Sequence, residues 1–243
     1  MLATASPLDQ QSLWLQYKRA VWNTGAAPAS AVHNIMRVIR AIRNAGELAY
    51  ISVPITTGRR LYELRRNLNL SEPERLELAI AHNYLIGWEF TERLVGRLDC
   101  PVLFPADMTP AHQIWDQADF QALWLSIIAE KCTQLHLVDG WQFSNGGCEE
   151  FTHVMQLRLG LPSTVGDLIF YNTKEDEAAE RERMRSIRVY DHHGRALDID
   201  DGIRLMNEAL RWIGRHSFSA PKIERCLELL LTTKKLLAAG FYQ

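Results

Sequence analysis

The chain has little of what marks the specialised protein classes. Its four cysteines, Cys100, Cys132, Cys148 and Cys226, are widely scattered, with no CxxC pair and no Cys/His spacing suited to zinc. Neither a disulfide framework nor a metal site is expected, and the thiols read as reduced and mostly buried. No apolar run approaches the ~18 residues that a membrane-spanning helix needs. The longest candidate, residues 223–237, is interrupted by Glu224, Arg225, Glu228, Lys234 and Lys235. The opening residues lack a basic stretch followed by an apolar one, so no secretory signal is expected and the cytoplasm is the expected compartment. An excess of one charge is also missing. Lys+Arg 27 against Asp+Glu 29 gives a net charge of −2, which provides no global attraction to nucleic acid or to an anionic membrane. There is no internal repeat and no low-complexity tract.

What remains is ordinary globular composition. In 243 residues, 47% are hydrophobic and 23% charged, which excludes disorder as the dominant state. A chain of this length buries roughly 70–75% of its unfolded surface. Residues 1–45 read as a helical pair. Leu13, Tyr17, Ala20 and Val21 share one face of the first helix; Val32, Ile35, Met36, Ile39 and Ile42 form an apolar stripe on the second. Arg37, Arg40 and Arg43 lie opposite that stripe, as a solvated face or a phosphate contact.

From residue 46 the pattern becomes strand and helix in alternation. Short β-rich runs begin at Leu48, Pro101 and Gln134, and segment 167–171 is a plausible fourth strand. Long helices are expected at about 71–98, 110–131 and 148–159, the first opened by Ser71 as cap with acidic residues behind it. Such alternation predicts an α/β core over 46–172 with a parallel sheet and helices on both faces. Residues 173–243 read as a charged helix or linker, a β-hairpin around Gly194 and two amphipathic helices near 200–215 and 220–239.

In such a sheet, ligands gather at the carboxyl ends of the strands. Those ends carry residues 52–60, 105–107 and 139–150. The third is the most informative, because small residues Ser144, Asn145, Gly146 and Gly147 lead into a helix whose first turn holds Glu149 and Glu150. Exposed N–H groups there suit an anion. Glu150 has two readings: an acidic residue favoured by the helix dipole, or a carboxylate nucleophile facing an enclosed site above Val154 and Leu157. Asp107 and Asp139, at strand ends, are candidates for orienting a substrate or for acid/base work. Trp141 either stacks on a base or is buried under its loop. His112 could reach a pocket mouth, and His192 with His193 reads as an exposed turn rather than a metal site.

Taken together, Tyr50, Ser52, Pro54, Ile55 and Thr56, the Phe104 to Asp107 turn, and the segment Asp139, Gly140, Trp141, Ser144, Gly146, Glu150 resemble the nucleoside 2-deoxyribosyltransferase-like superfamily, over roughly residues 48–162. The closest likeness is to its small microbial branch and to the deoxynucleoside 5′-monophosphate N-glycosidases. The resemblance implies a flavodoxin-like doubly wound sheet and cleavage or transfer of an N-glycosidic bond. It implies Glu150 as nucleophile, Tyr50 as the residue orienting it, and Asp139 as a further catalytic group. Substrate contacts would come from Ser52, Pro54, Ile55, Gly58, Arg59, Asp107, Trp141, Ser144, Asn145, Gly146 and Gly147. Ser144 and the Arg59–Arg60 turn match positions that meet a 5′-phosphate, where a guanidinium fork suits the task. The partner would be a small nucleoside or nucleotide, with no cofactor, and the chain would form a homo-oligomer. Two departures stand out. Val53 replaces the family's glycine and is expected to crowd the sugar, and Leu123, Trp124 and Leu125 stand where a sugar-binding aspartate lies, with Asp116 or Asp119 as the nearest substitutes. These departures favour a second reading, a catalytically silent nucleotide-binding module. An NAD-cleaving domain is a third.

Overall fold

The computed structural model describes residues 47–108, 117–160 and 174–239. The helical pair over 1–45, His112, Asp116 and the strand expected at 167–171 lie outside them. Four short strands form the sheet: β1 (Ala49–Ser52), β2 (Val102–Leu103), β3 (Gln134–Leu137) and β4 (Arg188–Tyr190). Their order is β2-β1-β3-β4 and every pairing is parallel. Tyr50 stands between Leu103 and Leu135, and Leu135 is in turn paired with Val189. This is an α/β fold.

β4 comes from the segment that reads as a hairpin. Its arm 188–190 joins the parallel sheet, and the hairpin shrinks to one antiparallel bridge, Tyr190 to Ala196, across the turn at Gly194. The physical reason is the free edge of β3, whose backbone groups need partners.

Alternation along β1 divides the core. Tyr50 faces Leu135, Leu137 and Val189 in the larger apolar cluster. Ile51 faces Phe90, Phe104 and Val138 on the other side, with Val53 packed alongside. Seven helices accompany the strands among the described residues: α1 (Arg59–Arg65), α2 (Glu72–Val95), α3 (Gln117–Lys131), α4 (Asn145–Arg158), α5 (Lys174–Arg185), α6 (Ile199–Arg215) and α7 (Pro221–Ala238). α2 covers the Ile51 face through Phe90, while α3 and α4 cover the Tyr50 face through Ile127, Phe151 and Val154. α2 begins as the sequence predicts: the Ser71 backbone N–H donates to the Glu74 carboxylate at 2.8 Å, closing the helix start.

α6 and α7 continue the larger core rather than standing apart from it. Met206, Ala209, Ile213, Ile223, Cys226 and Leu230 are all buried in the cluster that contains Tyr50. Gly202 lets α6 lie directly on α4, since a Cβ there would overlap the Phe151 ring. α5, the dense mixed-charge run, is a helix anchored by buried Met184 and by Arg183, whose guanidinium donates to the carbonyls of Cys132 and Ala129. The four cysteines are free, and all but Cys100 are buried. Among the described residues no helix is long and apolar enough to cross a membrane.

Candidate active site at the carboxyl ends of β1 and β3

With the order β2-β1-β3-β4, the chain leaving β1 crosses to one side and the chain leaving β3 to the other, so the carboxyl ends of these two strands mark the topological switch point of the sheet. The β1 loop runs over residues 53–58 into α1. The β3 loop runs through a 3₁₀ turn (Trp141–Phe143) into α4.

Glu150 lies in the second turn of α4 and is 6% exposed, its side chain turned toward β1. The Tyr50 hydroxyl donates to Glu150 Oε1 at 2.6 Å, both groups buried. Ser52, two residues on and hence on the same face of β1, is 1% exposed. Its Oγ has no hydrogen-bond partner of ordinary geometry, yet the hydroxyl is near enough to act on the carboxylate. Burial pushes the Glu150 pKa up, and the Ser52 and Tyr50 hydroxyls hold part of that rise back; the balance falls at about 7. The carboxyl group is therefore close to half ionised at neutral pH, a larger rise than a first-turn acid on a solvated helix would show. Its neighbour Glu149 points away, toward Lys222 of α7 at 3.6 Å. Helical spacing separates the two as the sequence suggests.

The two loops are joined at their tips. Thr57 Oγ1 and Ser144 Oγ lie 3.0 Å apart, and the Asn145 N–H donates to Thr57 Oγ1 at 3.3 Å. Ser144 is buried and caps α4, accepting from the Gly147 N–H. On the other side of the sheet, the buried Asn83 amide of α2 donates to the carbonyls of Ile55 and Thr57, both at 3.1 Å. Gly58 has φ +110°, and a Cβ there would lie 2.7 Å from the Cβ of buried Pro54. Only glycine fits that turn without strain.

Several sequence-derived expectations find a different placement. Val53 does not crowd the Tyr50 side. Its Cγ2 packs toward Gly87 of α2, on the Ile51 face, because period-two alternation sends residue 53 to the side opposite residue 52. Trp141 is 3% exposed and stacks on Phe151 at 4.8 Å between ring centres, so it is the buried of its two readings. Gly147 seats against the Trp141 carbonyl, and Gly146 faces the Gln121 side chain. Asp139 is exposed, and Asp107 is exposed and accepts from the Tyr84 hydroxyl at 2.8 Å. Neither joins the Tyr50–Glu150 pair through any hydrogen bond among the described residues. Arg59 is also exposed; it pairs with Glu63 at 2.9 Å, and its guanidinium lies 5.9 Å from the ring centres of both Phe143 and Trp212. Leu123 and Trp124 are buried in the core, so positions 123 and 124 present no polar group to a sugar. His192 and His193 lie side by side in the turn after β4, ring centres 3.8 Å apart and tilted by 43°, and the described residues contain no cluster of His, Cys, Asp or Glu able to hold a metal.

Thr57, Asn83 and Trp212 are the site neighbours that sequence reasoning passed over. Asn83 had a legible signal, as a polar residue on the buried 79–83–87–90 stripe of an otherwise apolar helix face. Thr57 was hidden in a polar turn where any residue would have served. No family model, no curated protein and no solved structure matches this chain.

Proposed function

We propose that the chain is an N-glycosidic-bond hydrolase or transferase acting on a nucleoside or nucleoside 5′-monophosphate, with Glu150 as nucleophile on a flavodoxin-like sheet. The observation that carries this reading is the 2.6 Å bond from the Tyr50 hydroxyl to a buried Glu150 at the strand ends, beside the buried hydroxyl of Ser52. The strand order supports the fold assignment, since 2-1-3-4 is how a flavodoxin-like sheet begins.

In this mechanism Tyr50 fixes one carboxylate oxygen and leaves the other to attack the anomeric carbon. The C–N bond breaks, its electron pair leaves with the base, and the base takes a proton from water or a nearby acid. The resulting glycosyl ester is then attacked by water or by a second base, which frees Glu150. The resemblance assigns a 5′-phosphate to Ser144 and the turn at Thr57, whose hydroxyls lie 3.0 Å apart where the β1 loop meets the start of α4, and a bound phosphate would replace that contact. The chemistry calls for no metal or dissociable cofactor.

The test is chromatography of free base released from a panel of nucleosides and nucleoside 5′-monophosphates. Wild type is expected to release base and Glu150→Gln to lose roughly 10³-fold or more of that rate. Equal release by both proteins would sink the assignment. A second reading, a silent nucleotide-binding module, is favoured by the apolar burial of Leu123 and Trp124 where a sugar clamp is wanted. It predicts thermal stabilisation by a nucleotide with no turnover.

A further inference from the structure

Among the described residues four buried side-chain polar atoms have no hydrogen-bond partner of ordinary geometry: Ser52 Oγ, Arg75 Nε, Thr152 Oγ1 and Gln121 Nε2. Three of them belong to groups with company. The Ser52 hydroxyl acts on Glu150, the Thr152 hydroxyl acts on the Cys226 thiol, and the Arg75 guanidinium donates through its other two nitrogens to Glu72 and to the Asn67 carbonyl. The Gln121 amide has no such neighbour among the described residues. A donor shut off from both water and an acceptor is a cost that folding alone does not explain.

Gln121 lies in the second turn of α3, at the end of that helix nearest the carboxyl ends of the strands, because α3 follows β2 and leads back into β3. Its amide rests on α4. A Cβ on Gly146 would stand 3.4 Å from Gln121 Oε1, so the glycine leaves the space that the amide takes. Gly146 precedes Glu150 by four residues, which sets both on one face of α4, a helical turn or about 5.4 Å apart. One turn further along α3, the Leu125 carbonyl meets His153 Nε2 of α4 at 3.2 Å and fixes the two helices against each other. The free N–H is thereby held about one turn from the carboxyl group, on the side toward the start of α4.

We propose that Gln121 is a specificity-determining residue that donates to the 2′-hydroxyl oxygen of a ribose, so that the substrate is a ribonucleoside or its 5′-monophosphate rather than the 2′-deoxy compound. This inference rests on the reading of Glu150 as nucleophile. A sugar whose anomeric carbon faces Glu150 carries its nearest hydroxyl on the adjoining carbon, within reach of a group one turn away. That oxygen supplies the acceptor which Nε2 lacks, and a hydrogen bond there strengthens as positive charge grows at the anomeric carbon. A 2′-deoxy sugar offers no oxygen at that place and leaves the donor buried and unpaired, the condition under which a polar site discriminates most.

Base release is measured on paired ribonucleoside and 2′-deoxyribonucleoside 5′-monophosphates of the same base. Wild type is expected to favour the ribo member by about tenfold or more in kcat/KM. Gln121→Met keeps the length of the side chain without its polar atoms. It is expected to abolish the preference by losing rate on the ribo member alone, and to melt no lower than wild type because it removes an unpaired donor. Equal handling of both members by wild type would overturn the proposal, as would a Gln121→Met that loses the same factor on both. If wild type releases no base from either, the reading of Glu150 fails by itself. The tenfold preference, read as dissociation constants by titration calorimetry, then decides the role of Gln121, and binding of neither member would overturn both.

Discussion

Glu150 carries opposing influences whose balance is measurable. Burial favours its neutral form, the Tyr50 and Ser52 hydroxyls favour the anion, and the folded pKa of about 7 shows that burial wins. Folding therefore raises the proton affinity of this group above the ordinary value of 4.5. Its contribution to stability is complete below pH 4.5 and is lost as pH rises through about 7. The difference of 2.5 units corresponds to about 3 kcal/mol. His136 and His153 work in the opposite sense: burial lowers each to about 4, so their contribution is present above pH 6.5 and lost as pH falls. Comparing Glu150→Gln with wild type isolates the acid. The variant is expected to be the more stable by about 3 kcal/mol at pH 8, with the advantage vanishing by about pH 4, as read by urea denaturation at each pH. A difference that ignores pH would mean that the carboxyl is solvated. The burial of Glu150 was legible because Val154 and Leu157 follow it at helical spacing. The exposure of Asp139 and the burial of Trp141 were not, since adjacent residues in an irregular loop have no period to place them.

The C-terminal helices show how an element is positioned by what one residue lacks. α6 approaches α4 at Gly202, where any side chain would meet the Phe151 ring. Phe151 is fully buried, in turn stacked on Trp141, and follows Glu150 in sequence. Gly202→Ala is therefore expected to cost roughly 1–3 kcal/mol. Gly214→Ala in the same helix, where a Cβ meets nothing within 4 Å, should be neutral or stabilising by up to ~1 kcal/mol. Guanidinium denaturation of both variants checks the contrast, and equal effects would refute it. Helix periodicity made α2, α6 and α7 readable to within a few residues. β4 was misread as a hairpin arm for a physical reason. Three residues beside a glycine turn carry the same local signal whether they pair backward with their own chain or sideways with β3, and only the free edge of β3 decides.

At the scale of the whole molecule, residues after 172 belong to the same core as β1. Ile187 and Val189 reach it through β4, and Ile213, Ile223 and Leu230 close it from α6 and α7. The α/β pattern of the first half was legible because strand and helix alternate; the dependence on the second half was not, because amphipathic helices read alike whether they cover a core or a partner. A chain ending at residue 172 would expose Leu135 on the edge of β3 and Phe151 on α4. It is expected to show no cooperative thermal transition by circular dichroism, and a sharp transition there would establish an independent core.

The β1 loop is moored from both sides of the sheet, by Asn83 through two carbonyls and by Ser144 through Thr57. A segment tied at opposite banks cannot peel away gradually from one end. Ile55 and Thr57 keep their places only while α2 and α4 both stand where the sheet sets them, so a change in either helix is felt by the same few loop residues.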